Sequence, residues 1–174
     1  MRQVADRNRI ERFMRALGRE AASPAHVYFA GGATAVLLGW RASTIDVDIK
    51  IVPDSDAVLR AIPALKESLD LNIELATPDD FIPVRDDWAE RSETIGQEGR
   101  LTFHHFDLYA QALAKIERGH EQDGHDVEEM LARRLIDRRQ LAEYFAAIEP
   151  RLYRYPAIDP ATFARAVARI TGGE

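Results

Sequence analysis

The sequence predicts an α/β (α+β) fold, a small mixed sheet flanked by helices, followed by a C-terminal helical bundle. Three observations lead there. Apolar residues recur at helical spacing near the N-terminus, strand-like segments occupy much of the first 107 residues, and the pattern from Leu108 onward is helical. Residues 1–107 read as an α/β core with an N-terminal helix, and 108–174 as a helical region packed on it.

Ile10, Phe13, Met14 and Leu17 predict an amphipathic helix over about residues 5–20, ended by Ser23-Pro24. Val27–Ala30 follows as a short buried strand. Ala33–Trp40, rich in Ala and Leu, predicts a helix close against the sheet. Thr44–Val52 is a second strand, with Ile45, Val47, Ile49 and Ile51 on one face and Asp46, Asp48 and Lys50 on the other. Asp54-Ser55 caps a third helix carrying Val58, Ile62, Leu65 and Leu69, in which Pro63 predicts a kink or a late start. Leu71–Leu75 reads as a strand, "ATPDDF" as a turn, and "ETIGQEGRLTFHHFD" as a hairpin with Gly96 to Gly99 in its loop. Helices are then expected over about 108–120, 123–135, 138–148 and 161–170.

With 174 residues, 46% of them apolar and 30% charged, the chain has enough material for a core and none of the signs of disorder. No apolar run reaches the roughly 18–20 residues that span a bilayer. The N-terminal segment is too charged for a signal peptide, and there is no cysteine, so disulfides and thiolate metal sites are excluded. A cytoplasmic protein without a membrane partner is expected. A net charge of −6 argues against a general duplex-DNA binder, whose affinity comes from neutralising phosphates. The C-terminal arginines, Arg133 to Arg169, read either as a local nucleic-acid contact or as solvated helix faces.

The chemistry concentrates in "FAGGATAVLLGWRASTIDVDIKI", Phe29 to Ile51. A period of two puts Asp46 and Asp48 side by side on one strand face, where a divalent cation is the simplest way to keep both ionised. All-oxygen ligands and the lack of cysteine point to Mg²⁺ or Mn²⁺. Gly31-Gly32 lies between a strand and a helix start, a place where backbone N–H groups and the helix dipole favour an anion such as phosphate. Thr34 or Ser43 adds a hydroxyl there. Either motif alone has a plainer explanation, a tight turn or a charged strand edge. Together, on consecutive strands joined by one helix, they are far more specific.

These residues resemble the signature of the DNA polymerase β-like nucleotidyltransferase superfamily: a glycine turn opening a helix, then Asp-x-Asp on the next strand, then a third carboxylate on a later strand. The resemblance is nearer to a bacterial branch containing abortive-infection toxin nucleotidyltransferases and related domains of unknown function. Arg41, Thr44, Asp46 and Asp48 match its first part. Lys115, Arg118, Asp123 and Asp126 in "AKIERGHEQDGHDVEEML" match a later helix. The resemblance covers about residues 27–131. Gly32 and Ala33-Thr34 stand where polymerase-like members usually carry Ser.

The resemblance implies a Mg²⁺-dependent transfer of a nucleoside monophosphate from an NTP to a hydroxyl of an RNA 3′ end, a protein or a small molecule, within a toxin–antitoxin or phage-defence setting with a cognate partner protein. The alternative is a catalytically silent, antitoxin-like binding module with the same fold. A metal-dependent phosphodiesterase or nuclease is a third reading. Asp46 and Asp48 would hold the metals and Glu74 would complete the set, with Asp70 and Asp107 as competitors for that third place. The triphosphate would lie on Gly31-Gly32. Lys115 would reach the phosphates or base, and Asp126 would orient it or contact the ribose, unless the two form an exposed helix pair. Arg41 reads as a support for the aspartate strand or as a substrate contact.

Elsewhere, His104-His105 alternate across a hairpin strand. His120, Asp123 and His125 read as a polar loop in preference to a metal cluster, with Gly124 as a helix junction. Tyr153 and Tyr155 either stack a base or pin the last helix, packing being the favoured reading.

Overall fold

The computed structural model describes residues 3–172. They form seven α-helices, a five-stranded mixed sheet and a two-stranded sheet, so the expected α/β class holds. The chain divides into two compact units. The first runs to Thr77 and resumes over Ser92–Phe106; the second comprises Pro78–Arg91 and the chain from Asp107.

In the first unit, β1 (Ala5–Asp6) leads into α1 (Arg7–Gly18), whose start is capped by Asp6 accepting from the Arg9 N–H at 2.9 Å. Next come β2 (Ala25–Ala30), α2 (Gly31–Leu38), β3 (Ser43–Thr44), β4 (Asp46–Val52), α3 (Asp56–Leu69), β5 (Asn72–Glu74), β6 (Thr94–Glu98) and β7 (Leu101–His105). The large sheet has the order β5-β4-β2-β7-β6. β4 runs antiparallel to β2, whereas β5 and β7 run parallel to β4 and β2 respectively.

Strand alternation divides this sheet into two chemically different faces. Val27 and Phe29, Val47, Ile49 and Ile51, Ile73, and Leu101 and Phe103 join one core with residues of α1, α2 and α3. Burial of so many large apolar side chains, each contributing roughly 1.5–3 kcal/mol, fixes which way every strand faces. Asp46, Asp48, Lys50, Asn72, Glu74, His26, Tyr28 and His104 therefore share the opposite face. α2 is buried along Gly32–Leu37, as an all-apolar helix against a sheet must be.

The strand expected over Thr44–Val52 is two strands. Ser43–Thr44 pairs with Ala5–Asp6, the main strand begins at Asp46, and Ile45 between them is exposed instead of joining the apolar face. The Thr44 hydroxyl donates to the Asp46 carbonyl at 3.1 Å, a local side-chain bond that competes with a continuous ladder. α2 begins at Gly31, so the glycines form its first turn. α3 runs unbroken from Asp56 through Pro63. Gly96 lies within β6 at a register shift, and the hairpin turn narrows to Gly99-Arg100.

The second unit contains a short 3₁₀ turn at Pro78–Asp80 and the helices α4 (Leu108–Arg118), α5 (Glu121–Ala132), α6 (Arg138–Ile148) and α7 (Pro160–Thr171), with a 3₁₀ segment over Glu149–Arg154 before α7. Gly119, at φ +72°, ends α4, which is a common use of glycine past a helix end. Gly124, expected at a junction, lies inside α5, because the turn is already made by Gly119 and His120. Phe145 of α6 meets Phe163 of α7 edge-to-face at 4.9 Å between centroids. Among the described residues, no helix is long and apolar enough to cross a membrane.

Candidate active site

The candidate site is built on the polar face of the first unit's sheet. Ladder pairing sets Asp48 beside Ala30 on one side and beside Glu74 on the other, and sets Asp46 beside Asn72. Paired residues point to the same face, so Asp46, Asp48 and Glu74 share it. Asn72 links them: its amide donates to Asp46 Oδ1 and, at 3.2 Å, to Glu74 Oε1. Nothing in the sequence singled out Asn72. Its position at the start of β5, two residues before Glu74, is the only signal that it would face the aspartates.

Beside this strand lies the start of α2. Gly31 adopts φ +61°, and a Cβ added there would meet Asp48 Oδ2 at 2.7 Å. At Gly32 a Cβ would lie 1.9 Å from Thr44 Oγ1 and 3.2 Å from Arg41 Nη1. The glycines thus let the first turn of α2 press against the aspartate strand, and Asp48, Thr44 and Arg41 crowd the space their missing side chains leave. A carboxylate at the positive end of a helix is electrostatically favoured. Ser43, in the short β3 strand, is part-exposed beside buried Thr44.

Thr34 faces the other way. It is 1% exposed, with its hydroxyl 3.3 Å from the Phe29 carbonyl and 3.0 Å from His105 Nδ1. His105 is buried among the helices, and burial, with the Arg7 charge second, pushes its pKa down to about 4. The imidazole is neutral at physiological pH.

Asp70 caps the C-terminus of α3 in a left-handed conformation, φ 51°, just before β5. Asp107 belongs to the second unit. It is buried, caps α4 by accepting from the Tyr109 N–H at 3.1 Å, and lies 3.2 Å from Arg91 Nε.

Lys115 and Asp126 also belong to the second unit, and they are not an exposed pair. The Lys115 ammonium donates to Asp126 Oδ2 at 2.8 Å, and both side chains are buried. Asp126 Oδ1 accepts from Gln122 at 3.2 Å. Burial acts to raise the Asp123 pKa, but hydrogen bonds and charge from Arg118, with Lys115 nearby, outweigh it and hold the carboxyl below its ordinary range. His120 caps α5 in a reciprocal box with Asp123, and His125 is exposed on the helix surface. Tyr153 is exposed beneath the Arg154 guanidinium, and the Tyr155 hydroxyl donates to the Asp79 carbonyl at 2.7 Å.

Does the carboxylate face suit a hard divalent cation? Its donor set is all oxygen, and Mg²⁺ needs only one or two protein carboxylates, the rest of its shell being water and substrate phosphate. Asp46 and Asp48 meet that requirement. Among the described residues, no group of three or more His, Cys, Asp or Glu side chains is placed to hold a metal. The Asn72 amide, bonded to both Asp46 and Glu74, occupies the place between those two carboxylates.

A mixed sheet that carries paired aspartates beside a Gly-Gly helix start is compatible with a nucleotidyltransferase-like fold. A family model described as a nucleotidyltransferase of unknown function (DUF6036) matches residues 8–157, and the chain belongs to that family. Comparison with curated proteins and with solved structures returns no match.

Proposed function

We propose that the protein is a Mg²⁺-dependent enzyme that transfers a nucleoside monophosphate from an NTP to a hydroxyl acceptor. One observation carries this reading: the Asp48 carboxylate sits against the first turn of α2, at Gly31. A phosphate drawn to that helix start meets an anion already there. Asp46 and Asp48 would hold a divalent cation, whose charge would allow carboxylate and phosphate to share one place, as phosphoryl and nucleotidyl transfer require. When bound, the metal supplies charge neutralisation at the reacting phosphate.

The chain's own groups then have distinct tasks. Asp46 and Asp48 bind the cation, and the first turn of α2 faces the phosphates. Arg41, packed against Gly32 and Thr44, holds positive charge beside that turn. Glu74, which shares the Asn72 amide with Asp46, would complete the carboxylate set. Within the second unit, Lys115 and Asp126 fix α4 to α5.

The acceptor is a hydroxyl of an RNA 3′ end, a protein or a small molecule. The resemblance to abortive-infection toxins supports a place in a cytoplasmic toxin–antitoxin or phage-defence pair. One observation favours a catalytically silent binding module instead, namely the Asn72 amide bridging Asp46 and Glu74 where a cation would be expected.

The test is incorporation of label from each of the four NTPs into RNA or protein, with and without Mg²⁺, for the wild type and for Asp46→Ala/Asp48→Ala. Metal-dependent incorporation lost in the variant is expected. No metal-dependent transfer from any NTP would sink the enzymatic reading.

A further inference from the structure

The polar face of the first unit's sheet carries a second constellation that nucleotidyl transfer does not use. His26 of β2 and His104 of β7 face each other, with His26 Nδ1 2.9 Å from His104 Nε2. A hydrogen bond between two neutral imidazoles needs one ring to donate and the other to accept.

The surroundings say which. His104 Nδ1 lies 3.2 Å from the Thr94 hydroxyl, and the ring also hydrogen-bonds the Ser92 backbone in the sense that favours a proton on it. With its proton held on Nδ1, His104 presents the Nε2 lone pair to His26. Burial, with the neighbouring His26 second, lowers the His104 pKa, so the ring stays neutral and available as a ligand. Tyr28 stacks on the His104 ring at 4.8 Å and 18°, which fixes its orientation. His26 is exposed, so the gap between the rings is reachable from solvent.

This arrangement matches half of a metal site. A ligating histidine ordinarily gives its other ring N–H to a carbonyl or similar acceptor, and the Thr94 hydroxyl and Ser92 backbone are placed to receive it from His104 Nδ1. Zinc binds imidazole nitrogen at about 2.0–2.1 Å, so two nitrogens at right angles around it lie about 2.9 Å apart, and about 3.3 Å apart in a tetrahedron. The observed separation needs little or no adjustment.

We propose that His26 Nδ1 and His104 Nε2 form a bidentate site for a late first-row divalent cation, Zn²⁺, Ni²⁺ or Cu²⁺, completed by water. On binding, the proton on His26 Nδ1 shifts to Nε2 of the same ring, so neutral protein takes up the ion without net proton release. Imidazole nitrogen selects this class of metal over Mg²⁺. The site is separate from the carboxylates: His26 and the Ala30–Asp48 pair are four residues apart along β2, about 13 Å. One ion cannot serve both.

The test is calorimetric titration of the full chain with ZnCl₂, NiCl₂ and CuCl₂ in excess Mg²⁺, read alongside the imidazole resonances by NMR. One equivalent is expected to bind, with Cu²⁺ tightest, and the His26 and His104 resonances are expected to shift together. His26→Gln, at an exposed position, is expected to weaken binding at least ~10-fold. His120→Gln and His125→Gln are expected to leave it unchanged. Absence of saturable binding, or unchanged affinity in His26→Gln, overturns the proposal. His104→Gln is judged only if its circular dichroism matches the wild type; otherwise His26→Gln decides. The readouts do not depend on transfer activity, so they stand whether or not the enzymatic reading holds.

Discussion

Asp48 and Gly31 are in contact: the carboxylate of one fills the space that a side chain on the other would need. A Cβ at residue 31 would come within 2.7 Å of Asp48 Oδ2. The Gly-Gly pair and the Asp-x-Asp strand, which look like separate motifs in the sequence, are one packed unit. The helix start holds the aspartate in place, and the aspartate requires the glycine.

Gly31→Ala is expected to damage site and fold together. Alanine must adopt φ +61° and displace Asp48, costing about 1–3 kcal/mol of stability. Transfer activity is expected to fall at least ~10-fold, since displacing a supporting contact commonly costs that much. Denaturant melts and labelled-NTP incorporation measure the two effects.

Asp46→Asn and Asp48→Asn are expected to separate chemistry from stability. Asp46→Asn removes one of two neighbouring like charges on β4, so its melting temperature should hold or rise, whereas Asp48→Asn also gives up a carboxylate at the α2 start and should lose no more than about 1 kcal/mol. Activity should fall by two to three orders of magnitude, on the order of 3–4 kcal/mol of lost transition-state stabilisation. A variant that loses activity and also unfolds would point to a purely structural role.

Asn72→Ala tests the amide that bridges Asp46 and Glu74. Without it the carboxylates lose their shared donor and repel each other more strongly. The Mg²⁺ concentration needed for half-maximal activity is expected to change about 10–100-fold. An increase means that Asn72 positions the ligands, and a decrease means that it competes with the cation.

His105 makes stability depend on acid. Its folded pKa of about 4 lies below the ordinary 6.5, so the unfolded chain binds more protons between those values. Stability is therefore full above pH 6.5, falls as the pH drops toward 4, and loses on the order of 3 kcal/mol across that window. An NMR titration should show the His105 ring neutral down to about pH 4, and His105→Gln should flatten the acid limb of the stability curve.

Lys115→Met is expected to destabilise the second unit by about 3–5 kcal/mol, because Asp126 and Asp123 lose a buried cation. Lys115→Met/Asp126→Leu should recover most of that loss. If nucleotide affinity stays low in the stable double variant, Lys115 or Asp126 has a task in binding besides the clasp between α4 and α5.

The alternation of Asp46, Asp48 and Lys50 with Val47, Ile49 and Ile51 was legible because a strand of period two leaves no other placement. The glycine pair was legible as a helix start, since Ala- and Leu-rich sequence follows it. What crowds the glycines was not legible. Asp48 and Thr44 reach them only because α2 crosses β4 closely, a tertiary fact with no local signature. Ile45 misled for a related reason: its apolar side chain continues the pattern, while the Thr44 hydroxyl bonds the Asp46 carbonyl and breaks the strand there. Gly124 suggested a junction by composition, yet α5 carries it because Gly119 has already turned the chain. Lys115 and Asp126, two charged residues that the sequence alone allows as an exposed helix pair, owe their burial to packing between α4 and α5.

Asp46 and Asp48, held against the α2 start, are expected to bind a divalent cation together with a nucleoside triphosphate. Mn²⁺ titration followed by electron paramagnetic resonance, with and without a non-hydrolysable NTP, tests it most directly. Mn²⁺ is expected to bind more tightly in the presence of nucleotide, and Asp46→Asn/Asp48→Asn is expected to abolish this enhancement while remaining folded. Equal Mn²⁺ binding by the wild type and the folded double variant, unaffected by nucleotide, would contradict it.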